Sequence, residues 1–262
     1  MRKFTPTYRA VEPILAMDDN NYIDISPTLR AGFVYRIISV DQLFELFEKK
    51  QNVLVKPKKW EDPFENFILR SKVKLSTGDV ATLGVRDQFF GQCWTLHSAS
   101  DAMWRIYSPN ANAVRIRSTV RKLADSLIHA CGALSYVEAF IGKVKYLPNK
   151  RLIEYANNAF NGATIPYSKM FAQTLLVKRP AFKHEREVRL LLCLQDESLI
   201  ENDLYAYAVD AHTLIDQIMI DPRLPEKDAN LLRDKIIAKT TFKGPVKRSL
   251  LYAAPPKLVI PF

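Results

Sequence analysis

The sequence predicts an α/β (α+β) chain, organised as one domain around a mixed, mostly central β-sheet flanked by helices. Three segments carry this expectation. Phe33 to Ile38 is an apolar β-like run that passes directly into a helical stripe. Val120, Leu123, Ala124, Leu127, Ile128 and Cys131 recur at the helical period. Glu187 to Leu194 has the length and near-continuous apolarity of a strand covered on both faces.

In chain order, residues 1–30 are expected as an N-terminal extension packed on the domain. After the strand ending near Ser39, Ser39 and Gln42 have capping-box spacing ahead of Leu43, Phe44, Leu46 and Phe47, so a helix follows. Asn52 to Val55 reads as the next strand, and Lys56 to Asn66 as a loop rich in charge, proline and aromatic groups. Phe89 to Leu96 suits a buried strand, and Ser98 with Asp101 is expected to cap a helix carrying Met103, Trp104 and Tyr107. Ala113 to Ser118 alternates, turning Val114 and Ile116 inward and Arg115 and Arg117 outward. The helix over Val120 to Cys131 stops at Gly132. A strand over Ile141 to Leu147 is followed by helices from Asn149 and from near Pro166. Later strands fall at Leu204 to Val209, Gln217 to Ile220 and Val246 to Leu251, with a helix over Pro225 to Lys239. The strands at Phe33–Ile38, Phe89–Leu96 and Glu187–Leu194 are expected to be neighbours.

With 262 residues, 48% hydrophobic and 25% charged, the chain has material for a substantial core and is unlike a disordered segment or a small disulfide scaffold. No apolar run approaches the roughly 18 residues of a membrane span, and the N-terminus lacks the apolar centre of a secretion signal. A cytoplasmic protein without membrane partners is expected. Cys93, Cys131 and Cys193 are odd in number and far apart in apolar stretches, so they read as buried thiols. His97, His129, His184 and His212 show no paired ligand spacing, and no metal is expected. Lys and Arg exceed Asp and Glu by 38 to 28, a formal charge of +10 that favours polyanionic partners or leaves a solvated basic surface.

Several blocks follow one another in order: Tyr35-Arg36; Trp60-Glu61-Asp62-Pro63-Phe64-Glu65; Cys93-Trp94-Thr95; Asp101 to Tyr107; and Lys178 to Arg189. Together they resemble a bacterial family known as domain of unknown function 2971, which identifies relatives without naming a reaction. At three of these points the chain is also similar to the arginine-containing branch of the ADP-ribosyltransferase fold. That branch uses an Arg on a first strand, a Ser or Thr on a second and a Glu, often within Glu-x-Glu, at a third. Arg36, Thr95 and Glu185-Arg186-Glu187 match in order, whereas Thr95 lacks the usual Ser/Thr-x-Ser context and no target-recognition turn is evident. The resemblance implies NAD as substrate and an ADP-ribosyltransferase-like fold.

The chemistry is reasonable residue by residue. In a strand, Glu185, Glu187 and Arg189 would share one face. A glutamate there could stabilise positive charge developing on a ribose while a second orients a nucleophile; the alternative is a solvated strand end with Glu187 and Arg189 paired. Arg36 could hold a phosphate bidentately, or form a structural ion pair. Thr95 could bond a ribose. Trp94, Trp104 and Tyr107 could stack on a base or nicotinamide, or belong to the core. His184 could serve as an acid/base group beside the ligand. Trp60, Asp62, Glu65, Asp101 and Arg189 are expected at the pocket rim, with Asp62-Pro63 equally readable as a turn.

The leading functional expectation is an NAD-consuming transferase or NAD glycohydrolase of toxin or phage-defence type, with a nucleotide ligand and a protein or nucleic-acid acceptor. A non-catalytic nucleic-acid-binding module is the alternative, with Lys56, Lys58, Lys59, Arg115, Arg117, Lys247 and Arg248 as its footprint. A nuclease stands third, since the acidic cluster that would hold its metal is missing. Oligomeric state is left open.

Overall fold

The computed structural model describes residues 17–74, 77–132, 137–160, 167–195 and 202–255. The first half of the chain lays down β1 (Tyr22–Ile23), α1 (Pro27–Arg30), β2 (Phe33–Ser39), α2 (Val40–Lys49), β3 (Gln51–Val55), α3 (Phe67–Arg70), β4 (Lys72–Lys74), β5 (Val80–Thr82), β6 (Phe89–Thr95), α4 (Asp101–Tyr107), β7 (Ala113–Thr119) and α5 (Val120–Cys131). The second half adds β8 (Val137–Lys143), β9 (Lys145–Tyr146), α6 (Asn149–Asn158), α7 (Tyr167–Thr174), β10 (Val177–Lys178), β11 (Glu187–Leu194), β12 (Leu204–Ala208), α8 (Ala211–Leu214), β13 (Gln217–Ile220), α9 (Glu226–Thr240) and β14 (Val246–Arg248).

Among the described residues, ten strands form one sheet in the order β1-β8-β11-β6-β2-β7-β13-β14, with β3 joined to β6 and β12 to β3. The β1–β8 and β13–β14 pairs are parallel and the other pairs in this sheet antiparallel. The sheet is therefore mixed, and β11, β6 and β2 are consecutive, as the sequence predicts. Two apolar clusters cover its two faces. Val188, Leu190, Leu192 and Leu194 of β11 enter the larger, with residues of α2, α5, α8 and α9; Leu191 and Cys193 enter the smaller, with Phe140 and with Phe171 and Ala172 of α7. This double coverage explains why β11 reads as an unbroken apolar run.

Local chemistry sets several boundaries. The Ser39 hydroxyl accepts the Gln42 N–H at 3.1 Å and the Gln42 side chain accepts the Ser39 N–H at 3.0 Å, closing the expected capping box. Gly132 ends α5 at φ 62°, the left-handed region glycine favours. The cap of α4 is Ser100 rather than Ser98: its hydroxyl accepts the Met103 N–H at 3.3 Å because the helix begins at Asp101. The strand expected over Ile141 to Leu147 starts earlier and divides. At Val144 the chain leaves β8, and β9 pairs with β10 instead.

Residues 1–16 of the expected N-terminal extension lie outside the described residues. Beyond them, Tyr22–Ile23 extends the sheet and Met17 and Ile25 join the larger core, so this stretch contributes to the framework. Arg115 was expected to face outward; it is only 7% exposed, its guanidinium lying over the Tyr35 ring.

Gly91 on β6 lets the Trp60 ring approach the sheet. A Cβ there would lie 2.7 Å from Trp60 Cζ2 and 3.0 Å from Leu191 Cδ2. Gly91→Ala should destabilise the fold by about 1–3 kcal/mol by overpacking. Urea denaturation followed by tryptophan fluorescence measures this; wild-type stability would contradict the close approach.

Candidate functional site

Strand pairing creates an opening in the sheet. β2 meets β6 at one residue pair, Tyr35–Thr95, and β3 takes over as a partner of β6 at Val55–Gly91. A cleft of about 490 Å³ lies at this fork, lined by Tyr35 to Ile37 of β2, Gly91 to Thr95 of β6, and side chains from the loops before α3 and β11. Its size falls in the roughly 300–1,000 Å³ range of small-molecule sites.

The floor is a buried charge cluster. Lys178 Nζ bonds Glu65 Oε1 at 2.6 Å, Glu187 Oε1 at 2.7 Å and the carboxylate of Glu185. Arg189, fully buried, donates from Nε to Glu187 Oε2 at 2.8 Å, from one amino group to the Leu175 carbonyl at 2.7 Å and from the other to Glu65 at 3.1 Å. Its guanidinium lies 4.4 Å from the Trp60 ring centroid. Two cations thus face three carboxyl groups, one more acid than base.

The directions of titration follow from that imbalance. Burial works against charge on Glu187, but Arg189 and Lys178 outweigh it and hold the carboxyl well below the usual range. Burial also opposes charge on Lys178, and Glu187 and Glu65 outweigh it, raising the lysine. Glu185 is the acid left over. Burial, reinforced by the hydrogen bond and charge of Glu187, pushes it up to about 7 despite Lys178. Burial and the Glu185 charge likewise raise Tyr107, whose hydroxyl donates to Glu185 Oε1 at 3.0 Å.

Glu185 and Glu187 do not share a face through strand alternation, as expected from their spacing. Glu185 ends a 3₁₀ turn over Pro180–Glu185, and Arg186 adopts a left-handed conformation at φ 43° before β11 starts at Glu187. The turn brings both carboxylates to Lys178. Thr95 fastens it: its hydroxyl donates to the Glu185 carbonyl at 2.5 Å and accepts the His97 N–H at 3.1 Å. That hydroxyl is committed to backbone, which makes Thr95 a positioning residue.

Across the cleft, Arg36 is half-buried and makes no side-chain hydrogen bond or ion pair among the described residues. Burial lowers its pKa, opposed only by Cys93 and Tyr207. Tyr35 pairs with Thr95, so Arg36, next along β2, alternates to the face occupied by Val34 and Ile38; it reaches the cleft because β2 and β6 part there. Beside it lies a satisfied polar network. Asn52 donates to Tyr207 Oη at 2.7 Å, and Gln92 donates to Asn52 Oδ1 at 2.7 Å while accepting Trp94 Nε1–H at 2.7 Å.

Of the expected site residues, Arg36, Trp94, Thr95, Tyr107, His184, Glu185 and Glu187 line this cleft, as do Trp60, Asp62 and Glu65. Three do not. Trp104 is 1% exposed, its ring taken up by packing, so it offers no face to a ligand. Asp101 is on the surface at the start of α4, bonded to Arg105 and Tyr252. Arg189 lies beneath the floor rather than at a rim. Asp62 lines the cleft and also sets a turn: it accepts the Phe64 N–H at 3.0 Å and pairs with Arg179 at 2.7 Å.

Sequence reasoning missed Lys178, Gln92 and Cys93. Lys178 sits after Leu175-Leu176-Val177 on a two-residue strand, and that apolar approach was the one available sign that it is buried. Cys131 and Cys193 are buried, but Cys93 is half-buried in the cleft wall. The proposed basic footprint divides: Lys56, Lys58 and Lys59 surround Asp203, Lys56 and Arg115 are buried, and Lys247 is exposed on β14. Among the described residues there is no cluster of metal-ligand side chains and no helix long and apolar enough to cross a membrane.

Glu185 makes a pH prediction. Its folded pKa is raised above the ordinary 4.5, so its stabilising contribution is complete below that value and lost as pH rises through about 7. Between about pH 5 and about pH 8, wild type should lose more stability than Glu185→Gln, on the order of 1 kcal/mol, or roughly 2–4 °C in Tm. Thermal melts at both pH values test this; parallel losses would contradict it.

Residues 103–190 match the model of the family described as protein of unknown function (DUF2971). No curated protein matches the chain. Among solved structures it is similar to Thermus sp. 2.9 DarT in complex with NAD+, at 14% identity over 84% of this chain and 96% of that one, with a TM-score of 0.37. It is also similar to Thermus sp. 2.9 DarT in complex with ADP-ribosylated ssDNA, at 14% identity over 87% and 97%, with a TM-score of 0.39. The family match takes in Met103 to Tyr107 of α4 and Lys178 to Arg189, which supply four of the floor's five charged side chains; Tyr35-Arg36, Trp60 to Glu65 and Cys93 to Thr95 lie outside it.

Proposed function

We propose that the chain is an NAD-consuming enzyme, an ADP-ribosyltransferase-like transferase or NAD glycohydrolase, whose acceptor is a nucleic acid, a protein or water. One observation carries the reading: a single cleft has an unpaired guanidinium, Arg36, on one wall and the Glu185–Glu187 carboxyl pair on the other. A guanidinium without a carboxylate is suited to a phosphate, which it can grip bidentately. A buried fixed carboxylate is suited to positive charge on a ribose. A dinucleotide joined to a cationic leaving group carries both.

In this reading Arg36 holds the pyrophosphate, and the rings of Trp60 and Tyr107 flank the sugar and base. The bond from the ribose anomeric carbon to the nicotinamide nitrogen breaks with its electron pair going to nitrogen, which neutralises the pyridinium. Glu187, kept ionised by Arg189 and Lys178, faces the positive charge that develops on the ribose. The acceptor's lone pair forms the new bond to the anomeric carbon, and its proton passes to Glu185, the cleft carboxyl pushed up to about 7. Lys178 and Thr95 position these groups.

The nucleic-acid-binding alternative loses ground because its lysines at 56, 58 and 59 are gathered on Asp203. The nuclease reading has no acidic metal cluster among the described residues to draw on.

The test is release of free nicotinamide and transfer of label when the purified protein is incubated with labelled NAD and host lysate. Glu187→Gln should lower turnover by about 100-fold or more, scored against the folded fraction because it also unpairs Arg189. Arg36→Ala should chiefly raise KM. No turnover by wild type, or equal turnover by folded Glu187→Gln, would overturn the proposal.

A further inference from the structure

Next to the cleft, the same sheet carries a second group of unpaired cations. β7 pairs with β2 in the register Tyr35–Arg117 and Ile37–Arg115, and with β13 in the register Gln217–Arg117 and Met219–Arg115. These residues therefore share one face, opposite the larger core entered by Val114 and Ile116. Lys247 of β14, opposite Met219, adds a further cation. None of the side chains that β2, β7, β13 and β14 bring to this stretch of the face is acidic; Glu187, in the same register row, stands three strands away across β2 and β6.

Arg115 and Arg117 are held as a pair. The Arg115 guanidinium lies 4.7 Å from the Tyr35 ring centroid and that of Arg117 4.2 Å from the Phe33 ring centroid. Two residues apart on one strand, they stand about 6.5 Å apart along it. Each Nε is sealed from solvent without an acceptor, and neither side chain forms a hydrogen bond or ion pair among the described residues. Burial lowers the pKa of Arg115, and Arg117 lowers it further. Asp216, the acid adjoining this stretch, donates its N–H to the Arg117 carbonyl but places its carboxylate on Lys122. A ring stacked under each guanidinium fixes its plane and, with Nε sealed, leaves the two terminal amino groups as the binding element.

Two neighbouring cations without anions, one of them 7% exposed, are a costly arrangement for the folded chain alone. Their complement is a dianion. A phosphomonoester carries about −1.5 to −2 charges near neutral pH, whereas a diester carries one. We infer that Arg115 and Arg117 form a phosphate-binding site for a terminal phosphate group, held between two guanidiniums preorganised on Phe33 and Tyr35. This site is separate from Arg36 and does not depend on the reading of the cleft.

The test uses inorganic phosphate and dimethyl phosphate as probes, titrated calorimetrically into an Arg36→Gln protein so that the cleft guanidinium is absent. Inorganic phosphate should bind more tightly than the monoanionic diester, with affinity rising as its second proton leaves around neutral pH. Adding Arg115→Met or Arg117→Gln should weaken phosphate at least about tenfold. Arg115→Met should also leave Tm unchanged or raise it, because it removes an unpaired buried charge. Unchanged phosphate affinity in both variants, or equal binding of the two probes, would overturn the site. Loss of binding together with a large fall in Tm would also overturn it, by making Arg115 a framework residue.

Discussion

The structure depends most on the ammonium of Lys178. Three glutamates converge on it in a region where five charged side chains are nearly sealed from water. Carboxylates in such surroundings repel one another strongly, and removing charges from water costs several kcal/mol each before any pairing is counted. Lys178 and Arg189 answer that cost through geometry, each spreading its donors over more than one partner. Because two cations cannot neutralise three carboxylates, one acid keeps its proton to near neutral pH. The excess falls on Glu185, which lacks an arginine partner and faces the cleft.

The cluster also joins parts of the chain that are distant in sequence. Glu65 comes from the loop before α3, Lys178 from β10, Glu185 from a 3₁₀ turn and Glu187 and Arg189 from β11. Trp60 packs over Arg189 because Gly91 leaves room for it. The loop from Lys56 to Asn66 is thereby pinned to the floor by charge and by ring contact together. The forking of β2 from β6 then decides what the floor faces. Were those strands paired along their length, Arg36 would be confined to the larger core; their separation lets a guanidinium from the opposite face of the sheet reach the same cavity.

Much of this was legible in the sequence because local signals agreed. The Ser39–Gln42 capping box, the Val120–Cys131 stripe with Gly132, and the apolar β11 each had a short-range cause, and each stands within a residue or so of its expected place. The convergence of Arg36 with Glu185 and Glu187 on one cavity followed from a family-like order of motifs. What failed needed tertiary information. Strand alternation placed Glu185, Glu187 and Arg189 on one face, but the left-handed Arg186 removes Glu185 from the strand and burial takes Arg189 below the floor. Period-2 reasoning turned Arg115 outward, and the Tyr35 ring on the neighbouring strand buries it. Lys178 opens one of the family-like blocks but nothing within that block marks it, since its importance comes from three partners at sequence separations that no local pattern encodes.

The central claim is that Lys178 and its carboxylates form one energetic unit, and a double-mutant cycle on Lys178→Met and Glu187→Gln measures it by equilibrium unfolding. Lys178→Met alone should cost about 3–5 kcal/mol, because it leaves carboxylates facing each other without their shared cation. In the double variant the loss should fall short of the sum of the single losses by about 1 kcal/mol or more. Additive losses would contradict the account, since they would make the two side chains independent contributors rather than members of one buried cluster.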